Sequence, residues 1–365
     1  MLKIPELLIS FSGEKIDSVE KWEGFRREEI INAFAMNIYG VRDIERPENL
    51  EFKNKGESIS FGMRVKDIEA SFGTFSMNFK LYLPKKCEKP TPAIVFVLHE
   101  DFQNKLYFDE EGNMTSESTV SRIPVKKITD AGFAIALMPT ADIYPDHPKH
   151  LNFEAGIFTH IKPLKPRTKH SWATICAWSW GVSRVIDYLE TDFDIDASKI
   201  AVAGHSRGGK TTLWTAANDK RVFFAFANNS GCCGAAVLRG KKGEHVKDIN
   251  VTDWFCRKFK EYNECEEMLP VDQHMLLASI APRYLYITDS IEDEWTDPDA
   301  EFLSCNLASE VFELYGLKGL VAPKSPVLHE AYHDGHIAFH LKAGNHSLTE
   351  FDWENVIDYY KKITK

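Results

Sequence analysis

Five short apolar runs, spaced along the middle and the end of the chain, constrain the fold more than any other feature of this sequence. A segment with helical periodicity follows each run. Runs this short and this apolar are typical of strands that are buried on both faces of a sheet. They are AIVFVL (93–98), AIALM (134–138), IAVAG (200–204), FFAFA (223–227) and YLYIT (284–288).

This alternation predicts an α/β fold with a mostly parallel central sheet and helices on both faces. Apolar and polar residues alternate over 57–70 and 74–83, around Gly73, which predicts antiparallel strands at the N-terminal edge of the sheet. Residues 1–50 carry apolar side chains at helical spacing and are expected to form a helical extension. The other helices are expected at about 119–130, 171–190, 206–218, 297–314 and 349–363.

The whole chain, 1–365, is expected to form a single domain, because α/β domains commonly grow by loop insertion. The long segments 139–170 and 232–280 follow strands at the positions where α/β folds place ligands, so we expect them to be substrate-site loops. A net charge of −10 argues against nucleic-acid binding. No run approaches the ~20 apolar residues that a membrane span needs. The N-terminal residues lack the pattern of a secretion signal, which predicts a cytoplasmic location.

The seven cysteines have no CxxC spacing, so free thiols are expected rather than a zinc or redox site. The neighbours Cys232 and Cys233 are too close for an unstrained disulfide and are expected to be small packing residues. The segment HDGHIAFH (333–340) lacks the H-E-x-x-H arrangement, so we predict no metal. No cofactor is expected either, and the sequence does not indicate an oligomeric state.

One motif carries a chemical prediction. Gly204-His205-Ser206-Arg207-Gly208 is a G-x-S-x-G sequence that directly follows an apolar run and directly precedes a helical segment. Such a sharp turn presents a serine to a general base, and the N–H groups at the helix start can stabilise an oxyanion. The same pattern also arises at ordinary glycine turns, but the strand and helix around it favour an α/β-hydrolase with Ser206 as nucleophile.

The partners of this serine are sought in the usual chain order of serine, acid and histidine. His346 lies in a predicted loop before the C-terminal helix and is the preferred general base among several histidines. The acid is expected after the last apolar run, where Asp293 is preferred. Its acidic neighbours remain alternatives: Asp289, Glu292, Glu294 and Asp297.

These residues resemble carbohydrate esterase family 15, the glucuronoyl methylesterases, especially their bacterial branch and relatives named acetyl xylan esterases. The similarity runs from about Trp172 to Trp353. GHSRGGK and SGCCGAA are its most specific segments. The others are AWSWGVSRVIDYLE, GEHV, LPVDQHMLL, IAPRYLY, EDEWTDP and GNHSLTEFDW.

The resemblance implies roles for further residues. In that family the serine of the S-R-x-G-K motif is the nucleophile and the next arginine, here Arg207, stabilises the oxyanion. Lys210, Glu244 and Trp295 resemble the residues that hold the glucuronate ring. Each also has a plainer alternative, respectively a charge on the helix surface, a loop carboxylate and a core aromatic residue.

The sequence departs from the family in two ways. Asn229 stands where many members have their catalytic glutamate, although other members use an acid after the later strand, for which Asp293 is available. The apparent lack of a secretion signal also differs from exported members, and predicts imported oligosaccharides as substrates.

The leading hypothesis is therefore a serine esterase that hydrolyses a carbohydrate ester, most directly a 4-O-methylglucuronate ester, through an acyl-enzyme on Ser206. Its expected partner is a small carbohydrate ester or an oligosaccharide. An acetyl xylan esterase and a non-catalytic carbohydrate-binding relative are the alternatives.

Overall fold

A ten-stranded sheet forms the centre of the molecule. The computed structural model describes residues 4–86, 89–99, 106–116, 122–146, 152–161, 166–250 and 252–365. All five apolar runs are strands: β4 (Thr91–Leu98), β8 (Ala134–Pro139), β9 (Ile195–His205), β10 (Val222–Asn228) and β11 (Tyr284–Ser290). Their side chains are almost all buried, because helices cover both faces of the sheet.

Five further strands complete the ten-stranded sheet. They are β1 (Glu51–Ser60), β2 (Met63–Phe72), β3 (Phe75–Leu83), β12 (Ala331–Tyr332) and β13 (Ile337–Lys342). The order is β1-β2-β3-β8-β4-β9-β10-β11-β13-β12. The six strands from β8 to β13 in this order are parallel, while β1 to β3 and β12 pair antiparallel. A separate three-stranded sheet contains β5 (Leu106–Phe108), β6 (Met114–Ser116) and β7 (Arg122–Ile123).

The antiparallel strands predicted at the N-terminal edge of the sheet are present, but one predicted strand boundary is corrected. The segment predicted as one strand over 57–70 contains a two-residue turn at Phe61 and Gly62, which joins β1 to β2. Both turn residues have positive φ angles, 47° and 77°. That geometry matches the right-handed twist of a tight hairpin, so the chain reverses there.

Helices cover both faces of the sheet, and the α-helices among the described residues range from 3 to 17 residues in length. They are α1 (Val19–Lys21), α2 (Arg27–Phe34), α3 (Val125–Asp130), α4 (Ile157–His160), α5 (Thr174–Leu189), α6 (Arg207–Asn218), α7 (Val246–Ile249), α8 (Gln273–Ala278), α9 (Pro298–Leu314) and α10 (Glu350–Thr364). Helices α5, α6 and α9 pack in the core on one face, and α3 and α10 pack on the other.

Two predicted helical regions are shorter than expected. The helix predicted over 119–130 begins only at Val125, because Pro124 disfavours helical backbone at Ile123, which lies in β7 instead. Residues 119–121 lie outside the described part of the chain. In the predicted extension over 1–50, helical structure spans α1, the π-helix Trp22–Arg26, α2 and the π-helix Ala35–Tyr39.

The two predicted substrate loops also contain regular structure. Segment 139–170 includes α4 and a 3-10 turn at Thr140–Asp142, and its residues 147–151 and 162–165 lie outside the described ones. Segment 232–280 includes α7 and α8. Among the residues that the structure covers, no helix is both long and apolar enough to cross a membrane.

Candidate active site

Ser206 occupies a strained turn between β9 and α6. Its backbone has φ 55° and ψ −124°, a conformation that a residue with a side chain rarely adopts. Two backbone hydrogen bonds hold the turn: the Ser206 N–H donates to the Asn228 carbonyl at 2.9 Å, and the Lys210 N–H donates to the Ser206 carbonyl at 3.1 Å. The G-x-S-x-G sequence therefore forms the strand, sharp turn and helix that its context predicts.

Close backbone contacts constrain both glycines of the motif, and those of Gly204 are the closer. A Cβ atom on Gly204 would lie 2.3 Å from the backbone of Gly208, far inside contact distance. A Cβ atom on Gly208 would lie 3.1 Å from the carbonyl of Val97 in β4. Strand and helix approach each other so closely that only glycine fits at position 204.

His346 and Asp293 are brought into direct contact by two loops. Asp293 follows β11 and His346 follows β13, the neighbouring strand in the sheet. The imidazole Nδ1 lies 2.6 Å from Asp293 Oδ2. The His346 side chain is 39% exposed, whereas that of Asp293 is 4% exposed, so a buried carboxylate orients an accessible imidazole. The His346 ring also packs against His205, at 4.5 Å between centroids.

The other acids considered for this contact have different partners. Asp289 Oδ1 accepts hydrogen bonds from Thr296 Oγ1, Asn229 Nδ2 and its neighbour's N–H. Asp297 caps α9 and accepts from the Lys242 N–H. Glu292 accepts from the Gly344 N–H at 3.3 Å, and Glu294 is exposed. Of the five acids, Asp293 is the one that the structure places on His346.

The pKa values of Asp289 and Asp293 are shifted in opposite directions although the two residues are close in sequence. Burial alone would raise the pKa of Asp293, but hydrogen bonding and charge attraction from His346, with the Asn229 donor, lower it to about 2. Burial, followed by the charges of Glu301 and Asp293, raises the pKa of Asp289 well above its ordinary value. The surroundings thus keep Asp293 ionised beside the histidine and favour a neutral Asp289.

Arg207 is held by residues from both predicted substrate loops. Its guanidinium forms an ion pair with Asp146 and lies 4.8 Å from the ring centroid of Trp254. The Trp254 indole also donates to the other oxygen of Asp146 at 2.9 Å. A carboxylate and an aromatic face therefore fix the orientation of the arginine that follows Ser206.

Lys210, Glu244 and Trp295 form one connected group. Lys210 Nζ lies 3.2 Å from Glu244 Oε2, 2.8 Å from the Ser230 carbonyl and 2.5 Å from the Cys232 carbonyl. The Trp295 indole donates to Glu244 Oε1 at 3.1 Å. Lys210 is 3% exposed and Trp295 is 53% exposed, so neither a helix-surface charge nor a core aromatic residue describes them. The 8%-exposed Glu244 links the two.

Gly243 lets the two loops of this group meet. A Cβ atom on Gly243 would lie 2.1 Å from the Glu294 carbonyl, and its φ of 67° favours glycine. The next residue, Glu244, donates its N–H to the Trp295 carbonyl at 2.8 Å. A pocket of about 400 Å³ opens beside them. Its lining residues are Lys242, Gly243, Ile291, Glu294, Trp295, Asp297, Pro298 and Asp299.

Four residues of the site were not predicted from the sequence: Asp146, Trp254, Asn229 and Lys342. Asn229 was noted only as a departure from the family, yet its side chain contacts both Asp293 and Lys342. The signal for Asp146 and Trp254 was their place in the two predicted loops. Lys342 ends β13, a strand whose buried His340 and Lys342 hide its apolar pattern.

Two further sequence predictions concern the histidines of segment 333–340 and the cysteines. His333 and His340 both contact the Tyr286 hydroxyl, and His340 also contacts Asp352. Within the described ranges, no group of three or more His, Cys, Asp or Glu side chains is arranged to hold a metal ion. Cys232 and Cys233 are buried free thiols, as predicted, while Cys87 lies outside the described residues.

Known proteins resemble this chain over nearly its whole length. Residues 165–316 match the family model described as glucuronyl esterase, fungi. Carbohydrate esterase MZ0003, from an unknown prokaryotic organism, is 34% identical over 98% of this chain and 88% of its own. The 4-O-methyl-glucuronoyl methylesterase of Podospora anserina is 31% identical over 41% of this chain and 34% of its own.

Solved structures agree with these relatives. A glucuronoyl esterase from Solibacter usitatus superposes with a TM-score of 0.87 and 32% identity, over 99% of this chain and 98% of its own. A promiscuous esterase of carbohydrate esterase family 15, from a marine bacterial metagenome, has a TM-score of 0.86 and 32% identity over 99% and 97% of the two chains. The mostly parallel sheet, the serine turn and these similarities together show that the chain belongs to carbohydrate esterase family 15, the glucuronoyl esterases, with an α/β-hydrolase fold.

Proposed function

We propose that this chain is a serine carboxylic-ester hydrolase that acts on a carbohydrate ester, most directly a 4-O-methylglucuronate ester. The observation that carries the proposal is the 2.6 Å contact between His346 Nδ1 and Asp293 Oδ2, at the same edge of the sheet as the Ser206 turn. The carboxyl ends of β9, β11 and β13 meet at that edge because these strands are parallel. Relatives named 4-O-methyl-glucuronoyl methylesterase support the choice of ester.

The first chemical step is attack of Ser206 Oγ on the ester carbonyl carbon. His346 Nε2 accepts the serine proton, and Asp293 stabilises the resulting imidazolium through Nδ1–H. Collapse of the tetrahedral intermediate breaks the bond to the alcohol, which leaves with the proton from His346. The uronic acid then remains as an acyl ester on Ser206 until His346 activates a water molecule to release it.

Negative charge that develops on the carbonyl oxygen needs donors at the turn. We assign this role to backbone N–H groups at the start of α6 and to the Arg207 guanidinium. Asp146 and Trp254 fix that guanidinium through an ion pair and a ring contact, which supports a preorganised position. Segments 139–170 and 232–280, which supply these two residues, would border the substrate within a single domain of 1–365.

Lys210, Glu244 and Trp295 are proposed to hold the sugar ring. Each Glu244 oxygen accepts one bond from the protein and has lone-pair capacity for a sugar hydroxyl. The exposed indole face of Trp295 offers an apolar surface for a sugar ring. The Lys210 ammonium already contacts three oxygen acceptors, so we expect it to act mainly by fixing Glu244.

The test is a rate comparison between benzyl or methyl glucuronate and an acetylated sugar, with Ser206→Ala as the blank. We expect hydrolysis of the glucuronate ester to dominate and to fall by about 10³-fold or more in the variant. A second readout is covalent labelling of Ser206 by a serine-directed phosphonate, which does not depend on the choice of ester.

The outcomes separate the alternatives. Preference for the acetylated sugar would make the chain an acetyl xylan esterase on the same scaffold. Sugar binding without labelling and without Ser206-dependent turnover would identify a non-catalytic carbohydrate-binding relative.

A further inference from the structure

Asn229 lies at the end of β10, buried next to the proposed acid. Its side chain is 1% exposed and its φ angle is 44°, which places the side chain away from the regular direction of the strand. The backbone N–H donates to the Thr288 carbonyl at 2.8 Å and so joins the residue to β11. The asparagine is therefore held at a fixed position between two strands that lead into the site.

Lys342 determines which way the Asn229 amide points. Its ammonium lies 3.1 Å from Asn229 Oδ1 and, because an ammonium can only donate, the amide oxygen must face it. Lys342 is itself 2% exposed and pairs with the buried Asp352 at 3.1 Å. Asp352 also contacts His340 Nε2 at 2.9 Å. A buried ion pair thus fixes the amide orientation.

The amide nitrogen must then face the two carboxyl groups. Asn229 Nδ2 lies 2.8 Å from Asp293 Oδ2 and 2.6 Å from Asp289 Oδ1, with Ser290 Oγ farther away at 3.2 Å. Its two hydrogens match the two nearer acceptors, the carboxyl oxygens. The Asp293 oxygen in this contact is the same atom that lies 2.6 Å from His346 Nδ1. One oxygen therefore accepts from two donors, which restricts its position relative to the imidazole.

We propose that Asn229, oriented by the buried Lys342, is a positioning residue that holds Asp293 Oδ2 against His346 Nδ1. This inference rests on the proposed function, in which Asp293 and His346 serve Ser206. An acid at position 229 would place a third carboxyl between Asp289 and Asp293, where an amide donates to both. Asn229, which stands where many family members have a glutamate, is thus the residue that lets the chain use Asp293, the acid after β11.

The experiment compares Asn229→Asp, Asn229→Ala and Lys342→Met with the wild type in turnover of methyl glucuronate. We expect kcat to fall about 10- to 100-fold in each variant with KM within about 3-fold, because the loss concerns the orientation of the acid and not the sugar. In Asn229→Ala, the acidic limb of the kcat/KM profile should move to higher pH, since Asp293 loses a donor and attracts the imidazolium proton more strongly. Asn355→Asp, at a partly exposed position of α10, is the matched control and should keep the wild-type rate.

A double variant tests whether the two residues act together. If Lys342 works through Asn229, Asn229→Ala combined with Lys342→Met should lose no more activity than the worse single variant. Additive losses would overturn the proposed coupling, and a kcat within 2-fold of wild type with an unchanged pH profile would overturn the role of Asn229. Should Asn229→Ala not fold, the nearly isosteric Asn229→Asp provides the same rate comparison.

Comparison of the wild type with the Ser206→Ala blank keeps the two proposals distinguishable. Loss of the proposed function would appear as wild-type turnover no greater than that of Ser206→Ala. Failure of the positioning proposal would appear as active wild type together with unaffected variants.

Discussion

Two buried carboxylates organise two neighbouring regions of the site, and their partners differ in kind. Asp293 contacts the imidazole of His346, a type of side chain that serves as a general acid and base. Glu244 contacts the Lys210 ammonium and the Trp295 indole, which both act only as hydrogen-bond donors. Under the proposed function, the region around Asp293 moves protons and the region around Glu244 binds the sugar. Substitutions in the two regions should therefore act on different kinetic constants.

The largest expected effect is that of Asp293→Asn. The amide would remove the negative charge that stabilises the imidazolium, so kcat should fall about 10²- to 10⁴-fold while KM changes little. Steady-state kinetics on methyl glucuronate, with circular dichroism to check folding, measures this. Glu294→Gln is the control, because that exposed acid is a sequence neighbour without a contact to His346 among those described. A near wild-type rate for Asp293→Asn would remove the contrast between the two regions.

Glu244→Gln should change KM more than kcat, the reverse of the effect expected for Asp293→Asn. The variant loses a charged acceptor for sugar hydroxyls, at a cost of about 1.5–3 kcal/mol, so KM should rise about 10- to 100-fold with a smaller change in kcat. Initial rates over a range of glucuronate ester concentrations, together with a melting curve, give both constants and the stability. A lower kcat at unchanged KM would place Glu244 with the chemistry instead.

A smaller effect is expected at the exposed indole. Trp295→Ala removes an aromatic surface worth about 1 kcal/mol, so KM should rise about 5-fold. Trp295→Phe is the matched variant, since it keeps an aromatic face and loses only the N–H that bonds Glu244. If both variants bind as the wild type does, the ring does not contact the sugar.

The smallest effect concerns stability and tests the raised pKa of the buried Glu301. Burial raises the pKa of Glu301 to about 7, whereas the unfolded chain has an ordinary value of about 4.3. A raised folded-state pKa means that stability is fully present below the unfolded value and is lost as pH rises towards 7. Glu301→Gln should therefore match the wild type near pH 4 and exceed its Tm by several degrees at pH 8. Equal differences in Tm at both pH values would contradict the assignment.

The sequence predicted the strands of the parallel sheet well, because their runs are apolar on both faces. The exception is β13, in which His340 and Lys342 are buried through pairing with Asp352. Periodicity depends on hydrophobicity, so a strand that buries paired charges does not show it. The hairpin at Phe61 and Gly62 was missed for another reason, since apolar and polar residues alternate through the turn itself.

The geometry of the proposed site was predictable where motif and chain order define it, as for the Ser206 turn and the contact between Asp293 and His346. The supporting residues depend on contacts between segments far apart in the chain. Asp146 and Trp254 are separated by more than one hundred residues but share the Arg207 guanidinium. Asn229 and Lys342 meet only because β10 and β13 both lie beside β11. No local sequence pattern indicates such contacts between distant segments.

The region that matches the fungal family model, residues 165–316, is shorter than the part of the chain that forms the central sheet and the proposed site. It contains Ser206 and Asp293 but not His346, and it excludes Tyr39, whose hydroxyl donates to the Cys233 carbonyl at 2.8 Å next to the Lys210 group. A recombinant fragment cut at those limits would carry the proposed nucleophile without its proposed base. It would also lack seven of the ten strands of the central sheet: β1, β2, β3, β4, β8, β12 and β13. Cloning boundaries for enzymes of this kind should therefore be set by the sheet and not by the match.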